Sequence, residues 1–282
     1  MISLYDGDPE HSDKLTVTYN GLSLHVSTDP VDDTYELESC SIHTNFRSIA
    51  DEKAYGDGLE IYEAWKVSKA LRLTGRIKAP TYAKLFDKVE TLAKTFDPAL
   101  VSFLNASTQG FIALDFTTLS VSGNLSCRYY ARPLSSLDRT PSKFEGRSYL
   151  FDIPLICRDP RRYSQSLTTR TGNGTESNTG DYPSPATLTI TMAGAGSATY
   201  TARNDATVND QSLVLNLSGL ANLDVVVVDM DARTITKNGV DTMSLYVSGN
   251  YWTSIEPGSN VIAYTNTTNA TSVASYRRAW SL

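Results

Sequence analysis

Residues 15–26 read Leu15-Thr16-Val17-Thr18-Tyr19-Asn20-Gly21-Leu22-Ser23-Leu24-His25-Val26. Apolar and polar residues alternate on both sides of Asn20-Gly21, the pair best suited to the left-handed backbone of a two-residue type I′ turn. With that turn, Tyr19 faces Leu22, Val17 faces Leu24 and Leu15 faces Val26. All six fall on one face, because strand side chains alternate with a period of two. Turn chemistry and hydrophobic pattern agree, so the stretch predicts a β-hairpin lying over a core.

Working outward, apolar runs predict strands at 35–43, 59–66, 69–77, 99–104, 111–119, 123–131 and 148–157. One segment has a different period. From Thr81, a candidate N-cap, to Asp97-Pro98, the residues Tyr82, Leu85, Phe86, Val89, Leu92, Ala93 and Phe96 recur at helical spacing. A helix near 81–96 laid on a sheet accounts for this face. Charges of both signs on the other face (Lys84, Asp87, Lys88, Glu90, Lys94) argue against membrane attachment.

The stretch Phe151-Asp-Ile-Pro-Leu-Ile-Cys-Arg-Asp-Pro-Arg-Arg-Tyr-Ser164 marks a change of composition. Residues 1–162 hold 19 Lys+Arg and 22 Asp+Glu, whereas residues 163–282 hold only 6 and 9. The second part is rich in Thr, Ser, Asn and Gly between short apolar runs, as in a sandwich with many turns. Two domains follow, 1–160 and 161–282, with Asp159, Pro160, Arg161, Arg162 and Tyr163 as a solvated joint stiffened by the fixed φ of proline. Residues 169–185, TRTGNGTESNTGDYPSP, read as a linker or turn-rich surface. Strands are expected at 186–192, 197–203, 211–217, 223–230, 233–237, 243–247, 260–265 and 273–280. The unbroken run Val225–Val228 suits a central strand buried on both faces.

A net charge of −6 gives no general attraction to nucleic acid or anionic membrane. The apolar runs are too short to span a bilayer, and the N-terminus lacks the pattern of a secretory signal. Cys40, Cys127 and Cys157 read as unpaired, strand-borne thiols, suited to assembly in a reducing cytoplasm. Chemical signatures are sparse. No nucleophile elbow occurs, the only histidines are His11, His25 and His43, and no metal-binding spacing joins them. Asp229 and Asp231 can be drawn as a glycosidase pair, but turn chemistry explains them better. Asp51, Asp57 and Glu60 lack calcium-loop spacing, and the glycines at 172, 174 and 180 lack a following helix and lysine. The expectation is a protein without catalytic residues, metal or cofactor. Tyr246, Tyr251 and Tyr264 could stack on sugars, although a sandwich also needs aromatics for its core.

Three sets of residues together resemble one family. They are the strands around Arg47-Ser-Ile-Ala-Asp-Glu-Lys-Ala-Tyr-Gly-Asp-Gly-Leu-Glu60 followed by LRLTGRI and one amphipathic helix; the apolar strand entering Asp159-Pro160; and a C-terminal series. That series comprises Asn178-x-Gly180-x-x-Pro183, the DMDARTITKNG hairpin, Trp252-x-x-Ile255-x-Pro257-Gly258-x-Asn260, and Arg277-Arg278-x-Trp280. In order and spacing the chain is similar to the distal tail proteins of siphophages. The resemblance implies a tail-tube-like β-barrel with one helix, then a galectin-like antiparallel β-sandwich. It implies structural roles for Asn178, Gly180, Pro183, Trp252, Pro257, Gly258, Asn260 and Trp280. It also implies a homo-hexameric ring at the distal end of the virion tail, assembled in the host cytoplasm and touching the tail tube protein, the tail-tip hub and receptor-binding or side-fibre proteins. Double-stranded DNA would only pass through its channel, and an acidic protomer suits such a conduit because a phosphate-neutralising wall would hold DNA. The second part is too short for the long inserted arm that some relatives carry. A carbohydrate- or receptor-binding module is the alternative reading.

Overall fold

The computed structural model describes residues 2–3, 15–25, 34–52, 59–105, 108–118, 126–141, 148–205, 210–249 and 254–280. The chain divides into two compact units, Met1–Pro160 and Arg161–Leu282. Both are built mainly of strands.

The first unit contains β1 (Ile2–Ser3), β2 (Leu15–Tyr19), β3 (Leu22–His25), β4 (Tyr35–Glu52), β5 (Leu59–Lys78), α1 (Tyr82–Thr95), α2 (Pro98–Leu104), β6 (Ile112–Thr118), β7 (Cys127–Pro133), β8 (Asp138–Pro141) and β9 (Ser148–Cys157). Following the hydrogen bonds gives β2, β3, β4, β5, β9, β7, β6 and β2 again, so seven strands close into a barrel. Each step is antiparallel except β3 to β4, which meet in parallel at His25 and Glu36. The opening hairpin has the expected register: Tyr19 pairs with Leu22 and Val17 with Leu24, across Asn20 (φ 47°) and Gly21 (φ 79°). Val26 lies outside the described residues.

Alternation then fills the barrel. Val17, Tyr19, Leu24, Leu37, Leu71, Leu73, Leu114, Phe116, Ile153 and Leu155 are all buried, each side chain contributing about 1.5–3 kcal/mol relative to exposure. Helix α1 adds Leu85, Val89 and Leu92, and Phe96 stacks on Tyr19 with ring centres 4.7 Å apart. The Tyr19 hydroxyl donates to the Ala131 carbonyl at 3.3 Å.

The apolar stripe of α1 is wider than the part the barrel covers. Tyr82 and Phe86 remain 59% and 58% exposed, a correction to the expectation that the sheet absorbs the whole face. The expected strand at 99–104 is instead α2. Asp97, expected to end one helix, begins the next: its carboxylate accepts from the N–H groups of Ala99 (2.8 Å) and Leu100 (3.0 Å), and Pro98 occupies the first turn where its missing N–H costs nothing. Of α2 only Val101 is buried, and Leu100, Phe103 and Leu104 face outward. The two strands expected at 59–66 and 69–77 are one, β5. Its first half and the matching part of β4 extend past β9 as a two-stranded ribbon, since β9 joins β5 only from Lys69 onward.

The second unit holds β10 (Arg162–Ser164), β11 (Thr168–Thr171), β12 (Gly174–Asn178), β13 (Ser184–Pro185), β14 (Thr187–Met192), β15 (Tyr200–Asp205), β16 (Asp210–Leu215), β17 (Val225–Asp229), β18 (Thr234–Lys237), β19 (Val240–Asp241), β20 (Tyr246–Gly249), β21 (Ser254–Ile255), β22 (Gly258–Thr265), β23 (Ala270–Tyr276) and β24 (Ala279–Trp280). One sheet runs β11-β23-β14-β17-β18-β19 and the other β12-β22-β15-β16-β20. Their inner faces share one core, with Leu188, Ile190, Val226, Val228 and Ile235 from the first and Tyr200, Leu213, Leu215, Ile262 and Tyr264 from the second. The unit is an antiparallel β-sandwich. Residues 169–185, expected as a linker or turn-rich surface, supply most of β11 and all of β12, one edge strand for each sheet, with β13 pairing β21 beyond them. Strand β17 is central, but Val225 and Val227 are only half-buried while Val226 and Val228 are fully covered, so one face of the valine run meets the core.

Candidate functional site

The residues singled out at the domain boundary form the first strand of the second unit. Arg162 and Tyr163 pair with Trp280 and Ala279 of β24, which brings the beginning and the end of this unit together. Tyr163 is buried. The Arg161 guanidinium lies 5.5 Å from the Tyr163 ring centre and 6.0 Å from that of Tyr182, and donates to the Asp231 carboxylate at 3.3 Å. Arg162 lies over the Trp280 ring at 5.3 Å. Arginine stacks well on aromatic faces because its planar cation is weakly hydrated. The expectation of a solvated joint is therefore corrected for the arginines: their side chains are half-buried and engaged within the sandwich, while Asp159 and Pro160 are likewise half-buried.

Asn178, Gly180 and Pro183 shape the adjoining turn. The Asn178 amide is buried, donating from Nδ2 to the Ile255 carbonyl at 3.0 Å and accepting the Gly180 N–H at 2.9 Å. Tyr182 N–H then donates to the Ala279 carbonyl at 3.2 Å. Gly180 runs so close to Ala279 that a Cβ would collide with that carbonyl oxygen. Half-buried Pro183 leads into β13. On the second sheet, exposed Pro257 precedes Gly258, whose φ of +92° lies in the region that favours glycine. Asn260 is fully buried behind this turn. Its Nδ2 donates to the carbonyls of Glu256 (2.7 Å) and Gly258 (3.1 Å), and its Oδ1 accepts from Glu256 N–H and Asn204 Nδ2, both at 2.8 Å. Gln211, missed in the sequence because it reads as an ordinary surface amide, joins Ser254 and Glu256 to the same polar cluster.

Of the aromatics expected to bind sugar, one is turned into the core. Tyr264 is a core residue, 5% exposed and stacked on Tyr200 at 6.3 Å, so its ring cannot meet a glycan. Tyr246 lies exposed on edge strand β20, and Tyr251 and Trp252 fall outside the described residues. Asp229 accepts the N–H groups of Asp231 and Ala232, each at 2.9 Å, which is turn chemistry and not that of a carboxylate pair. Among the described residues no group of three His, Cys, Asp or Glu side chains could hold a metal, and no helix is long and apolar enough to cross a membrane. Cys40 and Cys157 are buried and no disulfide joins them to Cys127; burial pushes the Cys40 thiol up to about 12. What these residues can do is fix backbone and hold a surface.

Residues 179–280, which include most of this constellation, match the family model for the siphovirus-type tail component, C-terminal domain. This part of the second unit is thus similar to a siphovirus tail-component domain. The likeness of fold extends over both units. A crystal structure of the Dit protein of phage SPP1, described as a paradigm of the hub adsorption apparatus in phages infecting Gram-positive hosts, covers 94% of this chain and 98% of its own. Its TM-score is 0.63 at 14% identity. Two structures of the phage p2 baseplate in its activated conformation, with calcium and with strontium, each cover 93% of this chain and 97% of theirs. Their TM-scores are 0.50 and 0.52 at 8% identity. No curated protein sequence matches the chain. Residues 179–280 thus carry the sequence signal, and they include Gly180, Pro183, Pro257, Gly258, Asn260 and Trp280.

Proposed function

We propose that this chain is a structural virion protein that closes a six-fold ring at the distal end of a siphophage tail. The ring joins the tail tube to the tail-tip hub and leaves a channel through which DNA passes. The observation that carries this reading is the match of residues 179–280 to the siphovirus-type tail component, within a fold that follows SPP1 Dit over 94% of the chain. The first unit adds a physical argument. Tyr82, Phe86, Leu100, Phe103 and Leu104 stand in solvent in the single protomer, with Phe103 80% exposed. Ring closure through one repeated heterologous interface needs two different unpartnered surfaces on each copy. The helical side chains offer one, and the ribbon of β4 and β5 offers backbone edges as the other.

Negative-stain electron microscopy with native mass measurement tests the proposal. Rings of six copies with a central hole are expected, either from the purified protein or on addition of the cognate tail tube protein. Monomers under both conditions overturn it.

A further inference from the structure

The tail-component sandwich has a cavity of about 20 Å³ between its sheets. Leu188 and Ala274 of one sheet, with Met230 just past β17, line it on one side, and Ala202, Asn204 and Tyr264 of the other sheet on the opposite side. Two of the lining side chains, only 1% and 5% exposed, each end in a buried polar atom with no partner among the described residues: Asn204 Oδ1 and Tyr264 Oη. Turning the Asn204 amide over does not cure this. Its Nδ2 already donates to Ser254 O at 2.7 Å and to Asn260 Oδ1 at 2.8 Å, and both of those atoms are acceptors. Asn260 cannot turn over either, because its Oδ1 takes the Glu256 N–H while its Nδ2 serves two carbonyls.

A buried carbonyl without a donor destabilises a fold, and native proteins meet such groups with internal water. One water needs roughly 10–15 Å³ and two or more polar partners. We infer that this cavity is a binding site for a single ordered water, which donates to Asn204 Oδ1 and accepts from the Tyr264 hydroxyl. Burial pushes that hydroxyl up to about 12, so it keeps its proton and serves as the donor. The water would link neighbouring strands β15 and β22, where Ala202 faces Tyr264 and Asn204 faces Ile262. Ala202 and Ala274 are the small residues that leave room for it. Larger side chains at either position would fill the cavity.

The test is a crystal structure of the full chain at a resolution that shows ordered water, together with oxygen-17 relaxation dispersion in solution. One peak within hydrogen-bond reach of both Asn204 Oδ1 and Tyr264 Oη is expected, with one slowly exchanging internal water in the dispersion profile. Tyr264→Phe removes one partner and should shorten the residence time of that water at least tenfold. Ala274→Val should abolish the signal and, if Asn204 then gains no donor, lower the melting temperature despite better apolar packing. An unoccupied cavity, a water bound to neither atom, or a dispersion profile unchanged in both variants overturns the inference.

Discussion

Gly180 lays its bare Cα against the backbone of Ala279, and the carbonyl oxygen of Ala279 fills the space that a Cβ would take. The contact ties the turn after β12 to the last described strand of the chain. A methyl group there meets backbone, which cannot swing aside as a flexible side chain can. Gly180→Ala should therefore destabilise the second unit by about 1–3 kcal/mol, the usual range for overpacking. Chemical denaturation checks it. Unchanged stability would mean that β24 shifts freely.

Arg161 and Arg162 act through packing on aromatic rings. Arg161 is 20% exposed and its partner Asp231 64%, so the ion pair itself contributes no more than about 1 kcal/mol. Asp231→Ala should cost that or less. Arg161→Ala with Arg162→Ala should cost more, because the rings of Tyr163, Tyr182 and Trp280 lose their cationic cover. DNA retention measured across a salt series should be the same for wild type and the double variant. A loss of salt-dependent DNA binding in the variant would show instead that these arginines contact phosphate.

Asp224 makes acid stability predictable in direction. The Lys237 ammonium at 2.8 Å, then the Ala221 N–H and the Asn238 amide, hold its carboxyl down to about 2. Its pKa is lower folded than unfolded, so its stabilising contribution is complete above about pH 4 and is lost as pH falls through about 2. Thermal melts from pH 5 to pH 2 should fall more steeply for wild type than for Asp224→Asn. Parallel curves would remove Asp224 from the acid response.

The outward stripe of α2 separates assembly from folding. Phe103→Ser and Leu104→Ser alter side chains that are 80% and 63% exposed, so monomer stability should change by less than about 0.5 kcal/mol. Under the proposed function, ring formation should fall sharply in the double variant. A ring of wild-type yield would move the interface elsewhere on the first unit.

Where structure follows from near neighbours, the sequence was legible. The hairpin at 15–25 needed only alternation and Asn-Gly, and β9 matches its apolar run residue for residue. Asp97-Pro98 misled because an N-cap followed by proline starts a helix, while the same pair can also follow the end of one. Residues 169–185 looked like a linker or turn-rich surface because an edge strand has one neighbour and can be built from Thr, Gly, Glu and Asn without an apolar signature. The burial of Tyr264 had a readable sign, since Asn260, Ile262 and Tyr264 alternate and all face inward. The Arg161 cluster had none, as Asp231 lies 70 residues away along the chain. Nor could any local pattern show that Ala279 would arrive at Gly180.

Strands β11 and β12 are consecutive yet belong to opposite sheets, and the same holds for β19 and β20 on the far side. The sandwich is thereby hemmed on both flanks by its own covalent chain. Sliding one sheet over the other would require these flanking connections, and the equally short one from β22 to β23, to stretch at once, so a shearing load is shared between hydrogen-bonded ladders and peptide bonds. Such a unit should yield in a single step under pulling, with no partly peeled state to trap. Under the proposed function, that is the mechanical difference between a stiff washer and a stack of loose plates.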